Sequence, residues 1–213
     1  VDNQMHNADL LSFAAHQFYG PKGAGALYLR EGTRIVPLIY GGIQEGGRRA
    51  GTENVPAIVG MGKAAELAKR DLQKRINHVK SLRDKLMSNA LKVEKVYLTG
   101  HPEQRLPGHA SFVVEYIEGE AMLLLLAGKG IYAASGSACS SKALKASPVL
   151  ISIGTPAHLA QGSVVFTLSA GTTEEEIDYF NEVFPQIINQ LRKISPFAKG
   201  WGDMEDKTCT PRK

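Results

Sequence analysis

The chain has 213 residues, room for one large domain or two small ones, and 43% of them are apolar, enough for a real core. Its longest unbroken apolar run, Ala121 to Ala127, is far too short to span a bilayer. The net charge of +4 is mild and dispersed, and the densest basic stretch, Lys69 to Lys85, is interleaved with Asp71 and Asp84 at helical spacing, which is a solvated helix face and not a nucleic-acid surface.

The first residues carry no basic stretch followed by an apolar one, so no signal peptide is expected. Cys139 and Cys209 are the only cysteines, and neither belongs to a C-x-x-C pair. Zinc or another metal site and a disulfide framework are not expected, and a reducing cytosol is. Val1 leads almost at once into ordered-looking sequence, which reads as a piece whose upstream neighbour is missing.

Ala8 to Ala15 reads as a short buried strand. Gly20-Pro21-Lys22-Gly23 is a turn, and Gly25 to Leu29 a second strand. Ile35 to Ile39 is a third apolar run, broken by Pro37, and residues 41–54 form a Gly/Arg/Gln-rich loop without periodicity. A long amphipathic helix is predicted from Val55 to Ala90. Asn54 can cap it, Pro56 fits its first turn, and Met61, Ala65, Ala68, Leu72, Ile76, Val79, Leu82 and Leu86 form its apolar stripe.

Beyond this helix the pattern turns to α+β. Lys95 to Thr99, His109 to Tyr116, Ile131 to Ala134 and Ser163 to Ser169 read as strands, and Gly119 to Ala127 as a helix. A short element is expected near Val149. Thr172 or Thr173 caps a last helix that opens with Glu174, Glu175 and Glu176, reaches Ile194 and bends at Pro185.

The run Ser135-Gly136-Ser137-Ala138-Cys139-Ser140-Ser141 sets a thiol among small residues that offer little to bury it. A structural cysteine normally sits among large apolar side chains, whereas a thiol that handles sulfur needs access.

Ala14-Ala15-His16-Gln17-Phe18-Tyr19-Gly20-Pro21-Lys22-Gly23 resembles the S-x-H-K-x-x-G-P-K-G run of class V aminotransferase-like enzymes, cysteine desulfurases in particular. Residues 41–54 resemble the same family's G-G-x-Q-E-x-G-x-R-x-G-T-x-N segment, residues 135–141 its S-G-S-A-C-x-S loop, and residues 172–179 the opening of its last helix. The motifs occur in the family's order over nearly the whole chain, which corresponds to about the second half of the family's usual length.

The resemblance implies an α/β fold: part of a pyridoxal-phosphate-dependent fold type I large domain followed by a small α+β C-terminal domain. Residues 1–60 would be the C-terminal part of the cofactor-binding domain and 61–92 an interdomain helix. Residues 93–197 would be the small domain carrying the Cys139 loop, and 198–213 a flexible tail. It further implies pyridoxal phosphate as cofactor, L-cysteine as substrate and alanine as product, with Cys139 taking the sulfur as a persulfide. The sulfur would pass to an iron–sulfur scaffold or another acceptor protein. His16 would lie near the cofactor phosphate, and Thr52 would donate to the phosphate of the neighbouring subunit in a homodimer.

The chain departs from the family at three functional positions. Gln17 stands where the family has its Schiff-base lysine, and a carboxamide has no nucleophilic amine. Ala14 replaces a phosphate-binding serine, and Val165 an arginine that grips the substrate carboxylate. The family's phosphate-binding loop, ring-stacking histidine and pyridine-facing aspartate align upstream of Val1. The expectation is therefore a cysteine desulfurase family chain impaired as it stands. The alternative is a non-catalytic module for dimerisation or scaffold binding. Related activities such as selenocysteine lyase share the fold, while a plain aminotransferase has no need of the Cys139 loop.

Overall fold

A computed structural model of the chain describes residues 7–135 and 146–196. It divides into two compact units, Val1–Leu72 and Gln73–Lys213, and the division falls inside the long helix.

In the first unit, β1 (Leu10–Ala14) and β2 (Gly25–Leu29) form a two-stranded antiparallel sheet, with Leu10 opposite Leu29 and Ala14 opposite Gly25. The expected strand is therefore present, but it is only partly buried, because a sheet of two strands has too little covering it. A 3-10 turn, Ala15–Phe18, follows β1 directly. The run from Ile35 to Ile39 forms no strand. Pro37 lacks an N–H to pair, and Val36 and Leu38 are exposed.

Helix α1 (Val55–Ala90) begins where the sequence predicts, with Asn54 Oδ1 accepting from the Ala57 N–H at 3.3 Å. The expected stripe holds only in part. Val79, Leu82 and Leu86 are buried, while Ala65 and Leu72 are exposed.

The second unit is built on an antiparallel sheet of β3 (Val96–Leu98), β4 (His109–Val114) and β5 (Ser163–Thr167), with β4 central. Phe112 faces Leu98 on one side and Val164 on the other. One face of the sheet carries the main core, shared with α2 (Gly119–Gly128), α5 (Glu174–Ile194) and the C-terminal turns of α1. There Phe166, Phe180 and Phe184 pack edge-on and stacked, with centroids 4.8–5.8 Å apart. The other face is covered by α3 (Pro148–Ser152) and α4 (Ala157–Ala160), where Val113, Leu150 and Ala160 form a small second cluster. Both faces being covered, β4 is buried along nearly its whole length.

Ile131 to Ala134 yields only a single bridge, Ala134 to Val165, in place of the expected strand. Helix α5 starts with a capping box. The Glu176 N–H donates to Thr173 Oγ1 at 3.3 Å, and the Thr173 N–H donates to Glu176 Oε2 at 2.9 Å. The helix continues through Pro185 to Ile194. Lys85 of α1 reaches Glu174 at 2.7 Å and Asp178 at 2.6 Å on α5. No helix among the described residues is long and apolar enough to cross a membrane.

Candidate functional site

In the first unit the candidate residues are set by the tight exit from β1. The Ala15 N–H donates to Ala24 O at 3.0 Å and the Gly20 N–H to Ala15 O at 2.8 Å, closing the chain on itself. Ala15 is fully buried, and a Cβ on Gly20 would lie 2.9 Å from its side chain and carbonyl, so only glycine fits there. This closure turns His16 and Gln17 outward, and both are exposed. Gln17 Oε1 accepts from the Ala14 N–H at 3.4 Å, so the carboxamide folds back on the backbone that precedes it.

The Gly20–Gly23 turn packs on the start of α1. A Cβ on Gly60 would meet Pro21 at 2.8 Å, and one on Gly23, at φ +96°, would meet the Asn54 side chain at 3.3 Å. Thr52 is exposed on the neighbouring loop. That loop is held by the Gly51 N–H donating to Gln44 Oε1 at 3.3 Å and by buried Ala50. His16 and Gln17 thus share one turn, and Thr52 belongs to the loop that leads into α1.

Cys139 lies outside the described residues, as does Cys209. Ala134 exchanges backbone bonds with Val165 at 2.7 and 3.1 Å. Ser135 packs over Gly119, where a Cβ would lie 2.5 Å from Ser135 Oγ and 2.6 Å from Ser163 O. On the far side of the loop, Ala146 packs against the Val113, Leu150 and Ala160 cluster. Of the described residues that flank this run, Ala134 is thus bonded to β5 and Ala146 packed on the small second cluster. Sequence reasoning missed α4, a turn too short for periodicity, and buried Arg83, whose guanidinium donates to Asp84 and Leu106 O.

The class-V aminotransferase family model matches residues 1–180. The chain belongs to the aminotransferase class-V family. Among its class-V relatives, a cysteine desulfurase IscS of Methanosarcina thermophila is 50% identical over 198 residues, covering 93% of this chain and 49% of that protein. A cysteine desulfurase NifS of Azotobacter vinelandii is 48% identical over 207 residues, covering 97% of this chain and 52% of that protein. A solved NifS-like protein superposes with a TM-score of 0.77 at 38% identity, covering 86% of this chain and 47% of that chain. The mixed helix and sheet architecture is thus that of NifS-like folds. The chain spans about half the length of the relatives it matches.

Class-V desulfurases depend on pyridoxal phosphate. Neither Gln17 nor Ala14 carries an amine that could attach that group covalently. Position 17 offers an amide bonded to its own backbone, and position 14 offers a methyl.

Proposed function

We propose that the chain is part of a cysteine desulfurase whose sulfur-bearing group is Cys139, and that it is impaired in cleaving cysteine as it stands. The observation that carries this reading is the Ser135–Ser141 thiol run inside a chain about half identical to cysteine desulfurases. The family reaction would convert L-cysteine to alanine and leave a persulfide on Cys139. His16 and Thr52 would serve cofactor phosphates, Thr52 across a homodimer. The sulfur would pass to an iron–sulfur scaffold or another acceptor protein in the cytosol. We assign residues 1–60 to the cofactor-binding domain, 61–92 to an interdomain helix and 93–197 to the small domain.

Gln17, Ala14 and Val165 favour the second reading, a non-catalytic module that dimerises or docks a scaffold. The Val165 side chain is a hydrocarbon and has no means of gripping a carboxylate.

Sulfur loading separates the two. With polysulfide, the Cys139 thiolate attacks a terminal sulfur, the adjacent S–S bond breaks, and the shortened polysulfide leaves with the electron pair. Intact mass should then show added sulfur that is absent in Cys139→Ser, while cysteine with pyridoxal phosphate yields no alanine. A chain that takes no sulfur on Cys139 from polysulfide is a docking module only.

A further inference from the structure

We infer that the position that anchors the coenzyme in the relatives has become a structural cap in this chain, so that the chain folds without the coenzyme and does not regain it from a restored lysine alone. The inference deepens the impairment proposed above and rests on the membership of this chain in the class-V family.

Three observations carry it. First, Gln17 is the third residue of the 3-10 turn Ala15–Phe18, and its Oε1 accepts from the N–H of Ala14, the residue just before that turn. This is the reach-back half of a capping box. It satisfies a donor that the start of a helical turn otherwise leaves free. Lysine has no acceptor and cannot make that bond.

Second, the turn is over-determined by its own packing. Ala15 is fully buried, Gly20 admits no Cβ, and Tyr19 holds a left-handed φ of 71°. A non-glycine residue in that region is held there by its surroundings. The turn that presents residue 17 is therefore specified by the fold itself, with no ligand needed to shape it.

Third, the other altered positions are committed in the same way. Ala14 pairs with Gly25 across the β1–β2 sheet, and its side chain is a methyl. Val165 sits in β5 opposite Ser111 of β4, and its N–H and C=O are both bonded to Ala134. In each case the side chain has no group that meets an anion; the Val165 backbone serves the sheet, and the Ala14 N–H serves Gln17.

The test compares Gln17→Glu, Gln17→Ala and Gln17→Lys in the full chain. Glutamate keeps the acceptor, so its thermal midpoint should equal or exceed that of the unaltered chain. Alanine and lysine lose the acceptor and should both fall below it. Each protein is then mixed with one equivalent of pyridoxal phosphate, reduced with borohydride and mapped by mass. Neither the unaltered chain nor Gln17→Lys should carry a stoichiometric pyridoxyl group on a single lysine, and neither midpoint should rise.

Equal midpoints for all four proteins would overturn the capping role. A saturable adduct on residue 17 of Gln17→Lys, with a rise in midpoint, would overturn the loss of the coenzyme site. Such an adduct on Lys22 of the unaltered chain, abolished by Lys22→Ala, would do the same. Polysulfide loading of Cys139, measured on the same samples, reports separately on the sulfur-handling reading.

Discussion

At the scale of single residues, the glycines show how local room decides the sign of a change. A Cβ at Gly119 would press on the carbonyl oxygen of Ser163 at 2.6 Å as well as on Ser135 Oγ, and a backbone oxygen in a paired strand cannot move aside. Gly119→Ala should lower stability by about 1–3 kcal/mol in urea unfolding, the usual cost of overpacking. Ser135→Gly in the same chain should restore little of it, because the Ser163 contact remains. Gly62 lies within α1, and a methyl added there would have nothing within 4 Å of it. Gly62→Ala should therefore stabilise by about 0.5–1 kcal/mol through backbone entropy. If both alanine variants shift the urea midpoint in the same direction, crowding at Gly119 is not what distinguishes them. The substitutions at 14, 17 and 165 were legible in the sequence because a missing amine, hydroxyl or guanidinium is a property of the residue alone. That Gln17 closes on Ala14 was not legible, since it depends on the turn geometry that β1 hands to the next residues.

At the scale of elements, a helix is legible in the sequence where its start signals are local. Asn54 and Thr173 cap α1 and α5 as their chemistry predicts. Thr173→Ala removes one half of a capping box and should cost about 1 kcal/mol of stability, with Thr173→Ser near neutral. Strands are less legible, because a strand needs a partner that sequence pattern does not name. Ile35 to Ile39 has the apolar content but no neighbour, and Ile131 to Ala134 gains only the bridge to Val165. At the start of β4, burial, and then the charge of Arg105, hold the His109 imidazole below its ordinary value. A folded value lower than the unfolded one means that the unfolded chain takes the proton first. The contribution of His109 is therefore complete above the unfolded value of about 6.5 and is lost as pH falls through the folded value. His109→Gln should flatten the fall in urea midpoint that sets in as pH drops below about 6.5. An equal fall in both proteins would place the acid sensitivity elsewhere.

At the scale of the whole molecule, the two units differ in what they bury. Among the described residues of the first unit, the buried apolar side chains are Ala15, Ala50, Ala57 and Ala64, all of them methyl-sized. Those of the second include Phe112, Phe184, Met122, Leu126 and Ile188. Each buried methylene contributes about 0.8 kcal/mol, so the second unit holds far the larger share of hydrophobic stabilisation. The first unit instead exposes Val36, Leu38 and Ile43, each more than four-fifths accessible. Stability that is unevenly distributed appears as uneven protection of backbone amides. Native-state hydrogen exchange on the full chain should therefore find the β1–β2 amides opening at low free energy, well before those that join β4 to β5. The C-terminal turns of α1, around Leu82 and Leu86, should exchange with the slow set, and the turns before Leu72 with the fast one. Protection of the β1–β2 pair equal to that of β4–β5 would mean that the first unit draws its stability from something other than the side chains it buries.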